Sequence, residues 1–337
     1  MTRASGSLFG LAYGDALGRP TEFLSVPQIV QRYGPTGPRD LSGDPALVTD
    51  DTQMALAVAW ALRDATEAGP PASLTVAAVE PLLRRRFVTW ALFGPHEGRA
   101  PGQTCLRAGQ ALQHGQAWQR TTVAGSKGCG TVMRVAPVGL LPGVDDETLA
   151  GLAQLQAGLT HGHPTALAAA ELMAYAIKAL ARDGVDLADV PGLLRQRCED
   201  QRPVYRHDWL GDLWDRTGAV TPDDFIARGW DECRHALRRL EAALAAPDRA
   251  ADPCDATGEG WVAEEALATG LLCALLFPDE PVAALARAAT TAGDSDTLGC
   301  VAGALLGAAH GRAAWPADWA DRIEYADQLR TLGRAWD

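Results

Sequence analysis

Two short stretches of the chain carry oxygen ligands more densely than helix capping requires. The first is Thr49-Asp50-Asp51-Thr52, which runs into the apolar segment Met54–Leu62. The second, Gly293-Asp294-Ser295-Asp296-Thr297, follows Thr290-Thr291-Ala292 and leads into the Ala/Gly/Leu run Leu298–Gly311. Asp and Thr are favoured before a first helical turn, so either stretch alone reads as an N-cap. One cap uses one side chain, however, and each stretch supplies three or four oxygens. Carboxylates and hydroxyls are hard ligands, suited to Mg²⁺ or Mn²⁺ rather than to zinc, which prefers His and Cys. If the two stretches meet in the fold, they would offer a site to a divalent cation.

Two further segments carry weaker chemical signals. Ser126-Lys127-Gly128-Cys129-Gly130-Thr131 is a Gly-rich turn, and such a turn at a helix start can present N–H groups to a phosphate. A plain tight turn is the commoner meaning of Gly-Cys-Gly. Thr160-His161-Gly162-His163 separates two apolar runs, and its H-x-H pair has no Cys or third His nearby to complete a zinc site. A helix-joining loop, with one His reaching a ligand or a cap, fits better.

The elements that must position these residues read as helices. Apolar runs are expected as helices near Ser7–Leu17, Asp51–Glu67, Ala72–Phe93, Thr104–His114, Leu149–Leu159, Pro164–Arg182, Ile226–Ala245, Trp261–Phe277 and Val282–Ala289. A shorter one is expected at Val26–Tyr33, inside a loop rich in Pro and Gly that also holds Glu22 near its start. No long strand-like alternation of β-branched residues interrupts them, so the expected fold is all-α around one core, spanning 1–337. The more polar stretch 183–260 reads as an excursion over that core. Its Trp209, Trp214 and Phe225 are candidates to stack on a base, although ordinary packing is the commoner role of such residues. The Trp-rich tail after Ala313 is expected to fold back onto the body.

Glycines recur every fourth residue at Gly6, Gly10, Gly14 and Gly18, and again at Gly299, Gly303, Gly307 and Gly311. Each costs a helix up to ~1 kcal/mol relative to Ala, so two series in step call for a reason. A spacing of four lines them on one stripe, where the missing Cβ admits another backbone. The two helices are therefore expected to pack tightly at the centre of the fold, with each other as one candidate pairing.

A formal net charge of −12 argues against a general nucleic-acid or anionic-membrane binder. The seven cysteines are scattered without a C-x-x-C pair, which reads as reduced thiols in a cytoplasmic protein. Leu8–Tyr13 is too short for a signal-peptide core and is interrupted by Gly14-Asp15. No charge-free apolar run is long enough to span a membrane.

The chain resembles the ADP-ribosylglycohydrolases. The segments carrying the resemblance stand in the family's order: Gly14-Asp15-Ala16-Leu17-Gly18 with Glu22, Thr49-Asp50-Asp51-Thr52, Gly128-Cys129-Gly130-Thr131-Val132-Met133-Arg134, Thr160-His161-Gly162-His163-Pro164 and Gly293-Asp294-Ser295-Asp296-Thr297. The likeness implies a compact orthogonal multi-helix domain with a binuclear Mg²⁺ (or Mn²⁺) cleft. It implies Thr49, Asp50, Asp51, Asp294, Asp296 and Thr297 as metal ligands. By the same likeness Glu22 positions or deprotonates water, with Asp50, Asp51, Asp294 and Asp296 as the catalytic carboxylates around it. Gly102, Gly128, Cys129, Gly130, Thr131 and His161 are the implied ligand-binding residues for an ADP-ribosyl group.

Two departures from the family pattern bear on substrate. Members acting on ADP-ribosylarginine carry an acidic residue in an Asp-Ile-Gly-like loop, where this chain has Ala100-Pro101-Gly102, with Glu97 as a stand-in from the same loop. Cys129 occupies the place of an Asn between the glycines. The expected partner is an ADP-ribosylated protein or an ADP-ribose-containing small molecule, through an arginine, serine, O-acetyl or other linkage. Two alternatives stay open: a two-metal phosphohydrolase acting on a nucleotide, and a non-catalytic ADP-ribose-binding protein.

Overall fold

The two glycine stripes meet. In the computed structural model, which describes residues 2–71 and 74–337, the helix Arg3–Gly18 runs antiparallel against the helix Ser295–His310. A Cβ on Gly10 would stand 2.2 Å from the Gly303 carbonyl oxygen, and one on Gly14 1.9 Å from that of Gly299. Gly6 meets Gly307 and Gly311 in the same way, and Gly18 meets Ser295 and Asp296. No side chain separates the two backbones along the seam, so the helices cannot slide without a clash.

The other helices surround this pair. Asp50–Ala68 packs on Val76–Phe93, which packs on Gln103–Leu112. Asp146–Gly158 packs on Pro164–Lys178, which lies against Pro222–Ala245. Ala263–Leu276 then bridges Pro222–Ala245 to Ser295–His310. The described residues hold no β-strand, only isolated bridges. None of their helices is long and apolar enough to cross a membrane, and all seven cysteines are free thiols.

Local chemistry sets the helix ends. Thr221 starts Pro222–Ala245 by accepting from Asp224 N at 3.1 Å, and Asp145 starts Asp146–Gly158 by accepting from Thr148 N at 2.8 Å. Pro follows the cap at Pro164 and Pro222, where its missing N–H costs nothing. The helix expected to run to Arg182 instead widens into a π-turn over Ala179–Asp183, and Gly184 ends it in the left-handed region. Ala72, the expected start of the third long helix, lies outside the described residues; the helix itself begins at Val76.

The polar stretch 183–260 is no detached excursion. Trp209, Leu213, Phe225, Trp230 and Leu240 are buried in the same apolar cluster as Phe9, Leu167 and Leu305. The tail folds back as expected: Trp315, Trp319 and Trp336 are buried, and Trp315 Nε1 donates to the Gly6 carbonyl at 2.9 Å.

Candidate active site

The glycine seam also assembles the chemistry. Gly18 abuts Ser295 and Asp296, so the end of the first helix meets the start of Ser295–His310. Thr21 fixes that junction: its hydroxyl donates to the Gly18 carbonyl at 2.8 Å and lies 3.0 Å from Ser295 Oγ. The next residue is Glu22, and ligand-type oxygens of Glu22, Asp294 and Asp296 all lie within 4.8 Å of one another.

One turn earlier the same helix anchors the other acidic stretch. Asp15 is fully buried and accepts from Thr49 N at 2.9 Å, Thr52 N at 3.0 Å and the Thr52 hydroxyl at 2.5 Å. Thr49 accepts from Asp51 N at 3.3 Å as an N-cap. The capping reading holds for Thr49, which is fully buried and lines no part of the cleft. Asp50 Oδ2 accepts from Gly102 N at 3.1 Å, while Asp51 Oδ2 is buried with no partner at all. An unpaired carboxylate oxygen in such a place is costly unless something cationic meets it.

Glu22, Asp50, Asp51, Asp294, Asp296 and Thr297 line one cleft of 220 Å³. Gly102, Gly128, Cys129, Gly130 and His161 line it as well. Thr131 does not: its hydroxyl turns away to donate to the Ala166 carbonyl at 3.2 Å, because the turn it closes packs on the helix at Pro164. Burial holds all five acids of the cleft above the ordinary carboxylate range, and repulsion from Asp296 adds to it for Glu22, Asp50, Asp51 and Asp294. Five crowded carboxyl groups, offering only hard oxygens and one orphaned atom, fit divalent cations of the Mg²⁺ or Mn²⁺ kind.

The Gly-Cys-Gly turn is tied down rather than free. Cys129 N donates to the Trp261 carbonyl at 3.1 Å and Ala263 N to the Lys127 carbonyl at 2.8 Å, so the Cys129 amide is not free to meet a phosphate. The Cys129 thiol instead donates to Asp294 Oδ2 at 3.0 Å. A Cβ at Gly128 would come within 3.1 Å of His161 Nε2, which is why glycine stands beside that ring. His161 is buried, with Nδ1 2.7 Å from the Thr160 hydroxyl, and burial next to Arg134 pushes its pKa well below the usual histidine value. The imidazole is therefore neutral at pH 7. His163 does something else. Its Nδ1 accepts from Thr165 N at 3.2 Å as a cap, and Nε2 lies 2.6 Å from Arg228 Nη2.

Several residues carry more of the site than their sequence context suggests. Asp15 holds the Thr49–Thr52 turn. Arg134, wholly buried, donates to Gln156 Oε1 at 2.7 Å and to the Thr160 hydroxyl at 2.7 Å, fixing the partner of His161. Its place at the end of the Gly128–Arg134 segment was its one signal in the sequence. Trp261 lines the cleft, whereas Trp209, Trp214 and Phe225 do not. Glu97 is exposed and outside the cleft, so it does not replace the missing acid at Ala100. A larger open groove of 770 Å³ beside Arg228 and Glu232 contains none of the cleft carboxylates.

The sequence profile of the ADP-ribosylglycohydrolase family matches residues 1–336. Over 175 residues the chain is 34% identical to the ADP-ribosyl-dinitrogen reductase glycohydrolase of Rhodospirillum rubrum, a match spanning 50% of this chain and 54% of that enzyme's length. It is 24% identical over 341 residues to the ADP-ribosylarginine hydrolase Tri1 of Serratia proteamaculans, covering 98% of this chain and 78% of that one. A solved structure described as an ADP-ribosylglycohydrolase-related protein complex shares the fold, with TM-score 0.66 and 23% identity over 99% of this chain and 96% of that chain.

Proposed function

The chain belongs to the ADP-ribosylglycohydrolase family, and from that premise we propose that its cleft hydrolyses the glycosidic bond of an ADP-ribosyl conjugate with the help of divalent cations. The observation that carries this reading is the convergence of Glu22, Asp50, Asp51, Asp294 and Asp296 on one cleft, with Asp51 Oδ2 left unpaired.

The bond at ribose C1″ breaks through an oxocarbenium-like transition state, in which positive charge builds on the sugar ring. A cleft walled by carboxylates favours that charge. Glu22, whose carboxyl lies close to those of Asp294 and Asp296, would take a proton from the attacking water as its oxygen bonds to C1″ and the bond from C1″ to the departing acceptor breaks. Two Mg²⁺ (or Mn²⁺) ions held by Thr49, Asp50, Asp51, Asp294, Asp296 and Thr297 would orient the ribose hydroxyls and acidify a water. Neutral His161 offers a ring nitrogen to the ribose or diphosphate without adding charge, and glycines at 128 and 130 leave room beside it. Thr131 is not part of this set, since its hydroxyl is spent on Ala166.

The linkage is less constrained than the reaction. Ala100 and Pro101 bring no acid to meet a guanidinium, and the Gly102 amide already serves Asp50. Two relatives act, by name, on ADP-ribosylated dinitrogen reductase and on ADP-ribosylarginine. Serine-linked, O-acetyl-linked and arginine-linked conjugates are accordingly all substrates to test. Product analysis on such a panel, with and without Mg²⁺, should show free ADP-ribose appearing only with the metal. Nucleotide cleaved at phosphorus, with the glycosidic bond intact, would replace this reading by the phosphohydrolase one.

A further inference from the structure

His161 is 2% exposed and lines the cleft, yet its Nε2 has no hydrogen-bond partner among the described residues. Which of its ring nitrogens carries the proton decides what the side chain can do there. That choice is made on the other edge of the ring, by a chain of donors that begins at a buried arginine.

Arg134 is wholly buried, and a guanidinium can only donate. Its Nε reaches Gln156 Oε1 at 2.7 Å, while Nη2 reaches the Gln156 carbonyl at 2.6 Å and the Thr160 hydroxyl oxygen at 2.7 Å. Thr160 Oγ1 therefore accepts from Arg134 and keeps its own proton to give. Two acceptors stand near it, His161 Nδ1 at 2.7 Å and the Ala157 carbonyl at 3.3 Å. A carbonyl oxygen has two lone pairs, and that of Ala157 already takes Thr160 N at 3.1 Å and His161 N at 2.9 Å. The nearer and unfilled acceptor is Nδ1, so the hydroxyl proton goes there. Nδ1 then carries no proton of its own, and the single proton of a neutral imidazole sits on Nε2.

We propose that Arg134 and Thr160 are positioning residues that hold His161 as an Nε2–H donor facing the cleft, where it gives a hydrogen bond to an oxygen of the ADP-ribosyl group. The identity of that ligand rests on the hydrolase reading above; the tautomer does not. Glycines keep the donating edge open: a Cβ at Gly128 would stand 3.1 Å from Nε2, and one at Gly130 3.1 Å from Cε1 and 3.5 Å from Nε2. With Nδ1 filled and Nε2 protonated, the ring has no free lone pair. It can neither take a proton from water nor ligate a cation, which leaves both tasks to the carboxylates.

The test reads the ring nitrogens by long-range ¹H–¹⁵N correlation in the whole ¹⁵N-labelled chain, with His161→Ala identifying the signal. In the wild type Nδ1 should resonate as an unprotonated nitrogen and Nε2 as a protonated one. Thr160→Val should admit an Nδ1–H form, and Thr160→Ser should restore the wild-type pattern. Calorimetry with Mg²⁺ present then reads the ligand. His161→Ala should weaken ADP-ribose at least about tenfold, and Thr160→Ser should change it less than about twofold. ADP as a second probe tells the accepting oxygen: both ligands weaken if it belongs to the diphosphate, ADP-ribose alone if it belongs to the terminal ribose. A wild type protonated on Nδ1, a Thr160→Val protein still wholly in the Nε2–H form, or undiminished ADP-ribose binding by His161→Ala would each overturn the proposal. A wild type with the expected tautomer that releases ADP-ribose from no conjugate would instead remove the hydrolase reading and leave the relay standing.

Discussion

Replacing Gly14 by Ala puts a methyl group where two helix backbones touch. Its Cβ would stand 1.9 Å from the Gly299 carbonyl oxygen and 2.2 Å from the carbonyl carbon. Ordinary contact begins near 3.4 Å, so the helices must part by roughly 1.5 Å, and no rotamer change can absorb the clash because both partners are backbone. Overpacking a core costs about 1–3 kcal/mol, and the Ala helix preference returns only ~1 kcal/mol. The expected net loss is up to about 2 kcal/mol. Gly192→Ala is the matching control: Gly192 sits in the helix Val190–Gln201, and a Cβ added there would meet no neighbouring atom within 4 Å. That change should be neutral or stabilise by up to ~1 kcal/mol. Equilibrium urea unfolding of both variants reads the difference, and a Gly14→Ala protein as stable as Gly192→Ala would refute the close-contact account. Because Asp15 and Gly18 flank the same seam, Gly14→Ala should also weaken Mg²⁺ binding, and Gly192→Ala should not.

Three other outcomes follow from the site. Asp15→Asn keeps the shape but faces an NH₂ towards the Thr49 and Thr52 donors, so it should cost about 2 kcal/mol of stability and lower Mg²⁺ affinity; unchanged affinity by calorimetry would show that Asp15 does not hold the loop. In metal-free protein the raised pKa values of Glu22, Asp50, Asp51, Asp294 and Asp296 mean that the folded state keeps protons the unfolded chain has released. Stability must then fall as pH rises from about 4 through those raised values, so Tm in EDTA should drop between about pH 5 and pH 8 and saturating Mg²⁺ should remove the slope; a flat Tm in EDTA would count against the repulsion. Thr131→Val should cost about 1 kcal/mol for the lost bond to Ala166 yet leave KM within about twofold, since the hydroxyl faces away from the cleft.

What could be seen in the sequence was whatever repeats or clusters locally. The glycine stripes were legible because a spacing of four and a missing Cβ have one structural use, and both series obeyed it. Asp294 and Asp296 were legible because two acids and two hydroxyls exceed the needs of one cap. Residues that act through a distant partner were hidden. Asp15 reads as a polar residue in an apolar helix until Thr49 and Thr52 are brought to it. Thr131 stands in a promising turn but faces a carbonyl that sequence spacing does not locate. Trp209, Trp214 and Phe225 attracted notice as aromatics in polar surroundings, whereas Trp261, at the edge of an apolar run, is the one in the cleft. The stretch 183–260 looked peripheral because charge dominates its average, yet Trp209, Phe225 and Trp230 are buried in the main apolar cluster.

The central claim, that the acids near residues 50 and 295 jointly cage divalent cations, is tested most directly by binding. Calorimetry with Mg²⁺ and electron paramagnetic titration with Mn²⁺ should find two ions per chain in the wild type. Asp51→Ala and Asp294→Ala should each lose or greatly weaken that binding while far-UV circular dichroism stays unchanged. No uptake by the wild type at millimolar metal, or undiminished uptake by both variants, would contradict the account.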